Sequence, residues 1–201
     1  GIVILEDYIR VYPFKNTFSH ILGYINKPSQ KELTLPYIAK MPNLDVGKQG
    51  LEFTFNKNLI GKSGKREIEV NSLGRVIREI SKKESQKGSD VIITIDSRLQ
   101  EYAVSLLNSY KAGSVIVMDI TNGEILCMAS NPSYDPNKII KKPNKAYWDG
   151  LINNKLSPLT NRSVQGLYSP GSTFKMIVAI AALKYGIINK NSSTFCSGKI
   201  E

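Results

Sequence analysis

The chain has 201 residues, 41% of them hydrophobic and 22% charged, with a formal net charge of +10. That length holds one ordinary domain or two small ones, and the balance is that of a globular chain rather than a disordered one. Two cysteines exclude a disulfide-dense scaffold or a four-cysteine zinc site, and a single histidine, His20, excludes any mechanism that needs two. The excess of basic residues favours anionic partners, but it is dispersed and lacks interleaved aromatics, which argues against nucleic acid. No apolar run is long enough to cross a membrane.

In chain order, Gly1 to Leu5 reads as a short strand, and irregular chain follows with a turn at Tyr12-Pro13. Ser29-Gln-Lys-Glu32 has the spacing of a capping box that opens a short helix. Gly47 to Gly50 reads as a loop. Leu51 to Leu59 is ambiguous: Leu51, Phe53 and Phe55 alternate like a strand, while Leu51, Phe55 and Leu59 recur like a helix face. Arg66 to Val70 and Arg75 to Ile80 predict a hairpin about Asn71-Ser-Leu-Gly74. The polar stretch from Ser81 to Ser89 suggests a domain boundary, dividing the chain into 1–88 and 89–201.

Beyond the boundary, Val91 to Ile95 predicts a strand. Asp96-Ser97 predicts the cap of a helix running to about Tyr110, with Leu99, Ala103, Leu106 and Leu107 on one face. Ser114 to Asp119 and Glu124 to Ala129 predict two strands joined at Thr121-Asn-Gly123. Their apolar density suggests a sheet covered on both faces. Cys127 falls within this run and reads as a small buried residue. Asn131 to Asn137 reads as a loop, and a helix is expected near Lys145 to Asn154.

Ser169-Pro-Gly-Ser172-Thr-Phe-Lys175, followed by the apolar run Met176 to Leu183, carries the chemistry. Residues i and i+3 share a helix face, so Ser172 Oγ and Lys175 Nζ can meet. A serine hydroxyl is a weak nucleophile until a base takes its proton. A lysine against apolar wall is driven toward the neutral form and can be that base. The helix N-terminus adds N–H groups suited to a developing oxyanion. The plain alternative makes Ser172 an N-cap and Lys175 a solvated residue. Two observations weigh against it. No other serine here has lysine three positions on, and a helix apolar on all sides is normally buried. Gly186 is the expected C-cap glycine.

Gly61-Lys62-Ser63 imitates the end of a phosphate-binding loop, but the position of the required first glycine is Asn56, and strand-like chain follows. Lys62-Ser63-Gly64 precedes the serine rather than following it. Both read as a turn.

Ser-x-x-Lys, followed much later by Ser-x-Asn and Lys-Thr-Gly, is the signature of penicillin-binding proteins and serine β-lactamases. The wider chain resembles class B penicillin-binding proteins of the elongation type, called penicillin-binding protein 2. The resemblance runs through Arg10-Val-Tyr-Pro13, Ser19-His-Ile-Leu-Gly-Tyr24, Gly47-Lys-Gln-Gly-Leu-Glu52 and Leu59-Ile-Gly-Lys62. It continues through Gly74-Arg-Val-Ile-Arg-Glu-Ile80, Ile95-Asp96 to Leu99-Gln100, Ala112-Gly-Ser-Val115, Asn131-Pro-Ser-Tyr-Asp-Pro-Asn137, Pro158-Leu-Thr-Asn-Arg162 and Gly166 to Lys175.

The resemblance implies an α+β chain: a mixed pedestal, or dimerisation, domain, then the N-terminal part of a β-lactamase-like transpeptidase domain. It implies a bacterial protein of the inner membrane, facing the periplasm, that cross-links peptidoglycan through a serine acyl-enzyme. Ser172 would be the nucleophile, its backbone N–H half of the oxyanion hole, and Lys175 the general base. Stem peptides and β-lactams would be the ligands, and elongation glycosyltransferase or scaffold proteins would bind the pedestal. No cofactor is implied. Some relatives carry zinc just beyond this helix, where Cys196 lies, but no metal is expected here.

No Ser-x-Asn and no Lys-Thr-Gly follows Ser172 in these residues. The sequence is therefore expected to be a piece of a longer protein, inactive by itself, with an apolar helix that favours self-association. A partner-binding pedestal module and a penicillin-sensing or penicillin-hydrolysing serine enzyme are the alternative readings.

Overall fold

The computed structural model describes residues 9–39, 44–140, 145–195 and 198. The chain divides into two compact units, Gly1–Gly166 and Leu167–Glu201. The strand predicted at Gly1 to Leu5, and Cys196, lie outside the described residues.

The first unit begins with short elements where irregular chain was expected. A 3-10 turn, Lys15–Phe18, runs into helix α1, Ser19–Leu22. Strand β1, Ile25–Asn26, pairs antiparallel with β2, Val46–Gly47, so the predicted loop at Gly47 starts on a strand. The capping box forms: Ser29 N donates to Glu32 Oε2 at 2.6 Å and Glu32 N to Ser29 Oγ at 3.4 Å. It opens a 3-10 turn at Glu32–Thr34, followed by α2, Pro36–Ala39. The ambiguous run resolves as helix, α3 Gly50–Thr54 and α4 Asn56–Leu59. Its strand-like alternation fails because Phe53 is exposed while Glu52 is buried.

Glu52 is held by the Arg10 Nε at 2.9 Å and by the Tyr12 hydroxyl, which donates at 3.1 Å. Burial, and then the adjacent carboxylate, push the Tyr12 phenol well above its ordinary range.

The predicted hairpin is present as β3, Lys65–Val70, and β4, Val76–Lys83. Asn71 Oδ1 sets its turn by accepting from Leu73 N and Arg75 N at 3.0 and 2.9 Å. Strand β4 extends into the stretch read as a linker, and Lys62 bridges Gln86 beyond it. The boundary predicted between 88 and 89 falls inside the first unit.

Val91 to Ile95 is extended but is not a strand. Among the described residues, the hydrogen bonds that tie this segment to the strand Ile125–Asn131 are Asp96 N donating to Leu126 O at 2.9 Å and the Thr94 hydroxyl donating to Ile125 O at 2.7 Å. A ladder needs a partner backbone along its length.

Asp96 caps α5, Ser97–Leu107, accepting from Leu99 N at 2.9 Å. Strands β5, Gly113–Met118, and β6, Ile125–Asn131, form an antiparallel pair. Helix α5 packs on them through Ala103, Val104 and Leu107 against Cys127 and Ala129. Two corrections follow. Leu106 is 50% exposed, so the buried stripe is Gln100, Ala103, Val104, Leu107 rather than one containing Leu106. Ile116 and Met118 are also exposed, so α5 covers one face of the β5–β6 pair and the other is covered only in part, at the Ser130 end where the segment with Thr160 and Arg162 packs. Cys127 is fully buried, as expected, and burial pushes its thiol pKa up.

The loop expected through Asn137 ends earlier, at α6, Pro136–Ile140. Helix α7, Lys145–Ile152, lies where a helix was predicted. These two helices build a second core from Tyr24, Tyr134, Ile139 and Leu151, with Trp148 packed against it.

Polar bridges join the early and late parts of the unit. Tyr134 OH donates to Ser19 O at 3.1 Å, and the Asn137 side chain bonds both backbone groups of Tyr12 at 2.9 Å. His20 Nε2–H donates to Pro158 O at 2.8 Å, since a carbonyl can only accept. Gln100 is 1% exposed and bonds Thr17 O, Met128 O and Met128 N at 2.9 to 3.0 Å.

Candidate active-site segment

The chain approaching Ser172 is fixed to the end of β6. Helix α8, Arg162–Gln165, is capped by Asn161, whose Oδ1 accepts from Ser163 N at 3.1 Å. Arg162 N donates to Ser130 Oγ at 3.0 Å, and Ser163 Oγ donates to Ala129 O at 3.1 Å. These contacts close the first unit.

In the second unit, Pro170 sits at φ −69° and Gly171 at φ +53°. A proline tolerates the start of a helix because it has no N–H to leave unpaired, and a glycine adopts positive φ without a Cβ clash. Together they open a 3-10 turn, Gly171–Thr173, that runs directly into α9, Phe174–Lys184. Ser172 therefore lies in the approach turn, one residue before the α-helix cap at Thr173, and Lys175 lies in the first turn of α9.

Ser172 is not an N-cap. Neither Ser172 nor Thr173 makes a side-chain capping bond, and the Thr173 hydroxyl turns back to Pro170 O. The Ser172 hydroxyl has no hydrogen-bond partner among the described residues, and no hydrogen bond joins it to Lys175 Nζ. The segment brings the two onto neighbouring helix positions without coupling them. The C-terminal end is the predicted one. Ile187 N donates to Ala182 O and Gly186 N to Leu183 O, at 2.9 and 3.1 Å, with Gly186 at φ +68°. This is a Schellman closure.

The expectation of a buried helix is corrected within this unit. Phe174, Met176, Ile177, Val178 and Ile180 are all more than half exposed, Met176 at 64%. Lys175 is exposed as well. A helix apolar on all sides needs cover on all sides, and residues 167–195 contain besides it only the 3-10 turn Gly171–Thr173, which leads into it and does not cover it. The apolar wall expected beside Lys175 is therefore not supplied from within the unit. Among the described residues, no group of three His, Cys, Asp or Glu side chains could hold a metal ion.

Residues 1–93 match the penicillin-binding protein dimerisation domain, and residues 113–201 match the penicillin-binding protein transpeptidase domain. The chain belongs to the penicillin-binding proteins. This penicillin-binding protein chain is 38% identical over 194 residues to the peptidoglycan D,D-transpeptidase MrdA of Escherichia coli strain K12, covering 94% of the chain and 30% of that relative. It is 32% identical to the peptidoglycan D,D-transpeptidase FtsI of the same strain, covering 96% of the chain and 29% of FtsI. It thus spans less than a third of the length of these relatives.

Among solved structures, the Helicobacter pylori complex between PBP2 and MreC gives a TM-score of 0.79 at 31% identity, covering 90% of this chain and 34% of that one. Pseudomonas aeruginosa PBP2 in complex with WCK 5153 gives 0.78 at 32%, covering 94% and 38%. The α+β class, with a dimerisation domain followed by transpeptidase-domain sequence, stands as expected.

Helix α5 occupies the interval between the two family matches. Its Gln100 joins Thr17, in the dimerisation match, to Met128, in the transpeptidase match. Sequence reading left this residue off the buried face of the helix, although 100, 103, 104 and 107 have the spacing of a buried stripe.

Proposed function

We propose that this chain supplies the nucleophile segment of a serine-type peptidoglycan D,D-transpeptidase, with residues 1–88 as pedestal and 89–201 as the start of the transpeptidase domain. The observation that carries this reading is the uncommitted Ser172 hydroxyl at the approach to α9, with Lys175 at i+3. Similarity to MrdA supports the reaction class.

In the proposed reaction Ser172 Oγ attacks the penultimate D-Ala carbonyl of a stem peptide, and its proton passes to Lys175 Nζ. The C–N bond to the terminal D-Ala breaks, and that residue leaves as the protonated amine. The amine of a second stem peptide then displaces Ser172 and forms the cross-link. The Ser172 N–H faces the developing oxyanion. A lysine serves as base only when apolar cover makes its charged form costly, so the reading requires α9 to be covered in the working enzyme. β-Lactams acylate the same oxygen.

Because the Helicobacter pylori neighbour is a complex with MreC, the proposed pedestal partner is a scaffold protein of that kind. The proposed location is the periplasmic face of the bacterial inner membrane, although no described helix is long and apolar enough to cross a membrane.

Fluorescent penicillin tests the proposal. The whole protein carrying these residues is expected to take up one label on Ser172 and none in Ser172→Ala. Lys175→Ala should slow acylation by roughly 10² to 10⁴. A polypeptide of these 201 residues alone should not label stoichiometrically, since no Ser-x-Asn or Lys-Thr-Gly follows Ser172 in it. Label found on any other residue of the whole protein would overturn the assignment.

A further inference from the structure

Gly61-Lys62-Ser63 is followed by a strand rather than a helix, so it is not a nucleotide-binding loop, yet it lines a cavity. The end of α4 and the segment after β4 meet there. Lys62 N donates to Gln86 O and Gln86 N to Lys62 O, both at 2.9 Å, and Ser89 N donates to Asn58 O at 2.9 Å. The backbones touch at two glycines. A Cβ on Gly61 would lie 2.3 Å from Gln86 O, and one on Gly88 would lie 2.0 Å from Leu59 O. No larger residue permits this approach.

Between the two segments lies an open cavity of about 500 Å³, bordered by Lys57, Lys62 and Lys87, and no carboxylate lines it. Lys87 reaches Asp90 only at 3.7 Å, with both side chains exposed. Lys57 and Lys62 have no carboxylate partner among the described residues. Three lysines border one concavity, and like charges brought together there would be relieved by a multivalent anion placed among them. In the adjacent hairpin, Arg66 and Arg78 each meet a glutamate.

We propose that this cavity binds a phosphoryl anion, with Lys57, Lys62 and Lys87 as its cations and the Ser89 hydroxyl as an added donor. A phosphoryl group is compact, carries close to two charges, and accepts hydrogen bonds from ammonium groups on several sides. Lysine binds it as a point charge, without the planar match that arginine needs. The same chemistry is offered by a soluble phosphate or diphosphate and by the headgroup of an anionic lipid.

The test is titration of the ¹⁵N-labelled chain with inorganic pyrophosphate, and in parallel co-sedimentation with phosphatidylglycerol vesicles. Saturable shifts are expected at the amides of Gly61, Lys62, Gly88 and Ser89. Lys62→Gln and Lys87→Gln should each weaken binding roughly tenfold, and Lys155→Gln, outside the cavity, should leave it unchanged. Vesicle binding that the same two substitutions weaken assigns the site to lipid headgroups. Saturation by pyrophosphate without vesicle binding assigns it to soluble phosphates. Absence of both, or an equal response from Lys62→Gln and the unaltered chain, overturns the proposal.

Discussion

Replacing Gln100 with leucine removes one buried amide and nothing else of comparable size. The amide makes three bonds at once: Nε2 donates to Thr17 O at 2.9 Å and Met128 O at 3.0 Å, and Oε1 accepts from Met128 N at 2.9 Å. Each neutral bond contributes about 0.5 to 1.5 kcal/mol net, so the loss is about 3 kcal/mol. Leucine nearly fills the same volume, which keeps the cavity contribution small. In a chain of this length each kcal/mol lowers the thermal midpoint by about 2 to 4 °C, giving roughly 6 to 12 °C. Trp148 is the only tryptophan, and its ring lies 5.9 Å from Tyr24 in the second core, so its fluorescence reports the melting of the first unit. A midpoint shift under about 2 °C for Gln100→Leu would refute the view that this amide ties the regions of the two family matches together.

Two more outcomes follow from single groups. Burial depresses the His20 pKa, against a smaller opposing pull from its bond to Pro158 O. The unfolded chain therefore takes up the proton first. Its contribution to stability is full above the unfolded value, about 6.5, and is lost as pH falls through the folded value. Melts across that window should show this loss, and His20→Gln should flatten it; an unchanged slope in the variant would exclude His20 as the source. Gly186→Ala places a Cβ at φ +68° and should cost about 1 to 2 kcal/mol. Faster amide exchange at Ile187, by roughly fivefold or more, would register that loss; an unchanged rate would show that the closure does not hold the end of α9.

What the sequence revealed depends on how local the cause is. The Ser29–Glu32 capping box, the Asp96 cap, the Asn71 turn and the Gly186 closure each need only a few neighbouring residues, and each formed. The misses all required knowing what lies opposite. Val91 to Ile95 has strand composition but no ladder partner. Leu106 has the right side chain on the wrong side of α5, while Gln100 occupies the apolar stripe because backbone groups of Thr17 and Met128 await it. The apolar circumference of α9 states that cover is needed without saying where it comes from. At the candidate site the order of residues was legible and the approach turn was nearly so. The free Ser172 hydroxyl was not, because whether a hydroxyl finds a partner depends on what the folded chain brings near it.

The β3–β4 ribbon has a consequence for the company this protein keeps in solution. A two-stranded ribbon has no interior strand, so both members show an unpaired row of backbone donors and acceptors to passing chains. Ile77 and Ile80, each 61% exposed, would make that row adhesive. Lys65, Glu67, Arg78 and Lys82 stand along the same strands, and their charges are matched within the hairpin or just past its end. Opposite signs at close quarters add little to stability, but an incoming strand would have to strip water from all of them. The ribbon's ion pairs thus act as gatekeepers against fibre growth, guarding a pair of strands that geometry leaves open at both edges.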